Sequence, residues 1–135
     1  MCGLGVVEDQ WEYICRGGPI SQKQSGYHYY FAQSKTDLKP NPTNELTAKL
    51  SCFGLGWSGK PIDVGSYLPN SLGIYDMHGL IWEWTSSAEG ASRVSRGGSW
   101  YFGAARCTAA GCGANSPADA GDYLGFRLLV VPLVK

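Results

Sequence analysis

Between Leu4 and Cys15 the apolar positions fall at Leu4, Val7, Trp11, Ile14 and Cys15, with Glu8, Asp9 and Glu12 between them. Such spacing puts the two sets on opposite sides of an α-helix and predicts an amphipathic helix over 4–16. Gly17-Gly18-Pro19 ends it, because glycine suits the left-handed cap and proline cannot extend the helix. Residues 20–72 keep no sustained period. Tyr27-His-Tyr-Tyr-Phe31 reads as a short strand with its rings divided between two faces. Lys39–Asn44 is a turn-rich loop, and Thr43–Leu50 a short helix capped by Thr43. Gly54, Gly56, Gly59 and Gly65 break anything longer.

Apolar density returns at 73–85, where Ile74, Met77, Ile81, Trp82 and Trp84 are punctuated by Asp76, His78 and Glu83, predicting a hairpin-like block. Arg93–Trp100 alternates and predicts a strand, with Gly97-Gly98 permitting close backbone approach. From Tyr101 to Asp122 the residues are small, polar and irregular; Gly125–Val131 then reads as a closing strand of branched and aromatic residues. Trp82, Trp84, Trp100 and Phe126 are the candidate core.

Composition narrows this reading. A chain of 135 residues holds one domain with a modest core, so residues 1–135 are treated as a single unit. Nineteen Gly and seven Pro, with five Trp, eight Tyr and four Phe, describe a loop-rich chain pinned by ring packing. Eleven basic and eleven acidic residues cancel, which removes a nonspecific electrostatic hold on nucleic acid or anionic membrane. The longest apolar run, Leu128–Val134, is strand-sized and interrupted by Pro132, so no membrane insertion is expected. No basic region followed by an apolar stretch is visible at the N-terminus, and cytoplasmic residence is the default expectation. The five cysteines, Cys2, Cys15, Cys52, Cys107 and Cys112, are odd in number and contain no CxxC pair. Buried thiols acting as small hydrophobes are expected for most of them, with a Cys107–Cys112 bridge left open.

Three blocks combine in a more specific way: Gly73-Ile-Tyr-Asp-Met-His-Gly-Leu-Ile-Trp-Glu-Trp84, Arg96-Gly-Gly-Ser-Trp100 and Tyr123-Leu-Gly-Phe-Arg127. With Asp9-Gln-Trp-Glu-Tyr-Ile-Cys-Arg-Gly-Gly18 upstream, they resemble the formylglycine-generating-enzyme/sulfatase-modifying-factor family. That resemblance implies an α+β C-type lectin fold with small antiparallel sheets, two helices and long packed loops. Within it, Pro61–Tyr67 corresponds to a strand ahead of a turn at Asn70.

The family's calcium block falls on Asp76 and Glu83 as side-chain ligands and on Gly79 and Ile81 as carbonyl donors. A hard cation takes six or more oxygens, and alternating carboxylates and carbonyls supply them. The residues are equally well explained if Asp76 stabilises a turn and Glu83 caps backbone amides. Any ion here is structural, and no cofactor is required. Catalytic members carry two cysteines five residues apart after the RGGS[WY] block, which bind copper. In this chain the second position is Cys107 but the first is Phe102, and a phenyl ring ligates no metal. His28 and His78 belong to no catalytic motif, and Arg96 and Arg127 read as framework ion-pair residues. The resemblance therefore implies a fold without the family's catalytic pair, since function resides in the site.

The segment 101–123 is similar to that of the variable proteins of diversity-generating retroelements, whose lectin-fold domains carry a template-copied binding segment near the C-terminus. Framework letters recur at Ala104, Cys107, Ala109 or Ala110, Pro117 and Leu124. Between them lie Tyr101, Phe102, Gly103, Arg106, Thr108 and Gly111. Gly113, Ala114, Asn115, Asp119, Gly121, Asp122 and Tyr123 complete the candidate ligand-binding set. The implied function is non-catalytic binding of a protein or glycan ligand on a diversified surface. The alternative is a truncated or degenerate formylglycine-generating enzyme. An ordinary lectin-fold loop, or a structural domain of a phage or surface assembly, accounts for the same residues without diversification.

Overall fold

The computed structural model describes residues 6–19, 27–30 and 60–129. Helix α1 spans Glu8–Cys15, and the strands are β1 (Trp82–Glu89), β2 (Ser92–Arg96), β3 (Cys112–Asn115) and β4 (Leu124–Gly125). They form one sheet in the order β3-β2-β1-β4. β1 and β2 are an antiparallel hairpin with Glu83 opposite Arg96 and a register shift between Trp84 and Ala88. β3 pairs antiparallel with β2, but β4 joins β1 in parallel through Trp82 and Leu124. The sheet is thus mixed, not antiparallel throughout. One short 3₁₀ turn, Ala104–Arg106, precedes β3.

Helix α1 starts later than its periodicity predicted. Val7 precedes it in extended conformation, and its N–H donates to Gln10 Oε1 at 3.3 Å. Val6, not Val7, enters the core, because the chain ahead of the helix no longer follows the helical period. The predicted stop is realised. Gly17 N–H donates to the Ile14 carbonyl and Gly18 N–H to that of Tyr13, with both glycines at positive φ, a Schellman closure. Asn70, buried, completes the cap. Its amide donates to the Ile14 carbonyl at 2.7 Å, while its Oδ1 accepts from Leu72 and Ile74 N–H, so one side chain joins the helix end to the 70–74 turn.

The core groups Val6, Trp11, Cys15, Met77 and Ala109, with a second cluster at Leu80 and Trp100. Trp82 is buried as expected, but Trp84 is half-buried and Phe126 is 70% exposed. The reason lies in β4. It lasts two residues, and beyond it Arg127 turns inward to Glu83 while Phe126 faces out. The predicted strand to Val131 is therefore limited to Leu124–Gly125 among the described residues; its last two positions lie outside them.

Three other expectations shift. The hairpin is β1–β2, whereas 73–81 is irregular; the second strand runs over 92–96 and stops where Gly97 and Gly98 adopt φ of +96° and +74°. Pro61–Tyr67 is not a strand but a bend with a turn at Val64–Gly65, stabilised by Ser66 Oγ donating to the Asp63 carbonyl at 2.6 Å. Tyr29 is an isolated bridge residue within the predicted 27–31 strand. Leu4, Phe31, the 39–44 loop, the 43–50 helix and Gly54, Gly56 and Gly59 lie outside the described residues. Cys15 and Cys107 are buried, Cys112 is exposed, and none of the three forms a disulfide, so the Cys107–Cys112 bridge is absent. Among the described residues no helix is long and apolar enough to cross a membrane.

Candidate ligand-binding cleft

The double glycine after β2 sets the site. A Cβ on Gly97 would lie 3.1 Å from the Trp11 ring, and one on Gly98 only 2.4 Å from Cys107 Sγ and 2.8 Å from Cys107 Cα. With positive φ at both positions, glycine lets the chain cross the core and receive the 104–109 segment at close range. Cys107 consequently sits fully buried beneath Gly98. The burial suits a small hydrophobe better than an accessible metal ligand.

Above this crossing the loops enclose a cleft of about 800 Å³. Its apolar wall is Trp82, Trp100, Tyr101, Phe102 and Tyr123; its polar groups are Lys60, Arg106, Asn115 and Asp122. The rings hold one another edge-on, Phe102 lying 6.0 Å from Trp82 and 5.3 Å from Tyr101 between centroids. The Arg106 guanidinium stands 5.9 Å over the Phe102 ring. Asn115 is oriented from the sheet, its Oδ1 accepting from Ser95 Oγ at 2.8 Å.

Of the candidate binding residues, Tyr101, Phe102, Arg106 and Tyr123 converge on this cleft with Gly113, Ala114, Asn115 and Asp122. Five others do not line it. Gly103 is exposed with nothing within 4 Å of a would-be Cβ, and Asp119 is exposed with its carboxylate accepting from Ser116 N–H. Gly121 packs against the Tyr123 ring. Thr108 is buried, and a Cβ on Gly111 would meet the Arg106 carbonyl and Thr108 Oγ1 at 2.9 Å each, so these two belong to the framework beneath the loop. Sequence reasoning missed Lys60, whose surroundings carry no local signal, and assigned Trp82 and Trp100 to the core alone.

The Asp76–Glu83 region lies apart from this cleft, in a separate cavity of about 500 Å³ with Ile81, Phe126 and Arg127. Asp76 has φ +59° and accepts the Gly65 N–H at 2.6 Å through Oδ2, so it does stabilise a turn. Its other oxygen is buried without a hydrogen-bond partner. Glu83 receives the Trp11 indole N–H at 2.7 Å and both Nε and Nη2 of Arg127, not backbone amides. The orphaned Asp76 oxygen fits a hard cation. Among the described residues no three His, Cys, Asp or Glu side chains cluster, so carbonyls would have to complete its shell. Gly79 and Ile81 lie within the same 76–83 block, Gly79 buried and Ile81 on the cavity wall.

A third polar centre is internal. His78 is fully buried, with Nδ1 2.8 Å from the Cys107 carbonyl and Nε2 accepting from Tyr30 N–H at 3.2 Å. Cys15 Sγ is 3.5 Å from Nε2, and Tyr30 stacks on the imidazole at 5.4 Å. Burial pushes the His78 pKa down to about 4, although the bond to the Cys107 carbonyl opposes the shift. Burial likewise raises the Cys15 thiol well above its ordinary value, so Cys15 and His78 rest as thiol and neutral imidazole. His28 is exposed. Arg96 bonds Glu8 at 2.9 Å and the Ala109 carbonyl at 3.2 Å, tying β2 to α1 and to the loop.

Among the described residues, a helix set against a small mixed sheet, with a cleft built from the loops beyond it, defines a C-type lectin-like domain of the α+β class. The sequence profile of the sulfatase-modifying factor enzyme 1-like domain matches residues 7–131, and the chain belongs to that family. It is 29% identical to the formylglycine-generating enzyme of Mus musculus, over 90% of this chain and 37% of that protein. It is 34% identical to the inactive C-alpha-formylglycine-generating enzyme 2 of Bos taurus, over 90% of this chain and 42% of that one. The chain thus spans about two-fifths of these relatives, which include active and inactive proteins. In structure it is similar to Treponema denticola variable protein 1, with a TM-score of 0.70 and 24% identity, covering 92% of this chain and 46% of that one.

Proposed function

We propose that this domain is a non-catalytic binding module that displays a variable surface, in the manner of diversity-generating retroelement variable proteins, and takes a protein or glycan ligand in the 101–123 cleft. The observation that carries the reading is convergence. Eight of the thirteen candidate positions line one cavity with aromatic walls and a few polar groups, as binding sites do. Fold likeness to a variable protein supports it. So does Phe102, which stands where catalytic relatives of the resemblance carry a cysteine, with Cys107 buried below. The alternative, a degenerate formylglycine-generating enzyme, draws support from the family membership and the similarity to an active enzyme.

Deep sequencing of the gene's 3′ end in its source population tests diversification. Substitutions concentrated at the cleft positions, with Thr108 and Gly111 constant, are expected; uniform sparse variation overturns the reading. Incubation with copper and a cysteine-containing peptide tests the alternative, and Cys107-dependent oxidation of the peptide would establish it. We also propose that Asp76 holds a structural calcium ion with Gly79, Ile81 and Glu83. Calcium is expected to raise Tm in the wild type and not in Asp76→Asn, and an identical calcium response in both proteins removes Asp76 from the site.

A further inference from the structure

The charges in the cleft carry the reading one step further. Among the described residues, Lys60 and Arg106 line it with a single carboxylate, Asp122, an excess of one positive charge against five aromatic rings. Among the described residues neither cation is in an ion pair; the ion pairs present join Glu8, Glu12, Arg16, Arg96, Glu83 and Arg127, all elsewhere. Arg106 is held only over the Phe102 ring, with its planar donors left for a ligand. Neutral hydrogen-bonding capacity is sparse. Among the described lining residues, Asn115 has already committed its oxygen to Ser95, the Trp100 indole N–H is a donor without a partner, and the tyrosines 101 and 123 add their hydroxyls. Sugars need many directional partners, whereas this cleft offers apolar area and net positive charge.

Resting on the proposal that this cleft binds a ligand, we infer that it takes a segment of a protein partner presenting an aromatic side chain beside a carboxylate. The aromatic group fills the space between Trp82, Trp100 and Phe102, where ring contacts add to apolar burial. The carboxylate is drawn to Arg106 and Lys60, and Asp122 selects against a second carboxylate close by while accepting an amide N–H.

The test is an NMR titration of the full chain at low salt with four probes: Ac-Trp-Asp-NH2, its near-isostere Ac-Trp-Asn-NH2, Ac-Trp-Lys-NH2 and glucuronate. The acidic dipeptide is expected to shift cleft resonances and to bind about fivefold more tightly than the Asn probe, as one or two partly exposed ion pairs allow. The Lys probe should be weakest. Arg106→Gln, at an exposed position, should fold normally and erase most of the preference. Equal binding of the Asp and Asn probes overturns the inference while leaving the cleft a binding site. Tighter binding of glucuronate overturns it in favour of a glycan. Silence at the cleft with every probe overturns both this inference and the cleft reading beneath it.

Discussion

Acidification should weaken this fold through one residue, His78. Its Nδ1 faces the Cys107 carbonyl at 2.8 Å, so that nitrogen carries the proton, and Nε2 is already an acceptor for Tyr30 N–H. A second proton would turn Nε2 into a donor facing another donor, in a site closed to water. Burial, the main cause, lowers the pKa from 6.5 to about 4, and the Arg16 charge adds to it. Because the folded pKa lies below the unfolded one for a cationic acid, the unfolded chain binds the proton first. Stability is therefore complete above the unfolded pKa and falls as pH drops from about 6.5 towards 4. Integrating between those values costs about 1.3 kcal/mol from pH 7.5 to 5.5 and about 2.5 kcal/mol by pH 4.5. Urea unfolding of the wild type and His78→Asn at these three pH values isolates the effect, since the carboxylates common to both proteins cancel. The difference in unfolding free energy should shrink by about 2.5 kcal/mol across the range. Parallel pH profiles would refute the argument, and so would an imidazole NMR titration with its midpoint near 6.5. The consequence for binding is direct, because the carbonyl released is that of Cys107, next to Arg106 of the cleft.

Two further outcomes follow from the framework. Gly98→Ala places a Cβ 2.4 Å from Cys107 Sγ at φ +74° and should cost at least about 2 kcal/mol in urea unfolding, whereas Gly103→Ala, in open space, should stay within about 0.5 kcal/mol. Glu83→Gln leaves the Arg127 guanidinium, a quarter exposed, without its counter-charge; about 3 kcal/mol of destabilisation and a fall of roughly 10 °C in Tm are expected by calorimetry. A fall of only a degree or two would mean that solvent already screens the pair.

Some of this was legible because local chemistry and global packing agree. Trp11, Cys15 and the double glycine mark both the inner face and the end of α1, since a Schellman closure needs little beyond its own turn. The Arg96-Gly-Gly pattern likewise announces close approach before its partners, Trp11 and Cys107, are known. Long-range decisions left no such mark. Val6 replaces Val7 in the core because β1 receives the chain ahead of the helix, with Ser86 N–H donating to the Val6 carbonyl. Phe126 looked like core, yet the inward turn of Arg127 decides that it faces outward. Lys60 joins the cleft from a remote loop, a placement that no periodicity encodes.

What the fold does with its buried polar groups explains how the proposed variation of the cleft would be tolerated. Among the described residues, irregular segments are tied by long-range side-chain bonds: Asn70 holds the helix end to its own 70–74 turn, Glu83 collects Trp11 and Arg127, and His78 holds Cys107 and Tyr30. These bonds are made below the cleft, by side chains that are buried and so costly to leave unsatisfied. The cleft residues make few of them. Arg106 and Tyr123 are exposed and Phe102 rests edge-on against Trp82, whereas Tyr101 packs against the Leu80–Trp100 core cluster. Substitution at 102, 106 or 123 therefore changes what the surface presents while leaving intact the bonds that Asn70, Glu83 and His78 make. At 108 and 111 it does not, because there the same loop turns inward and becomes its own support.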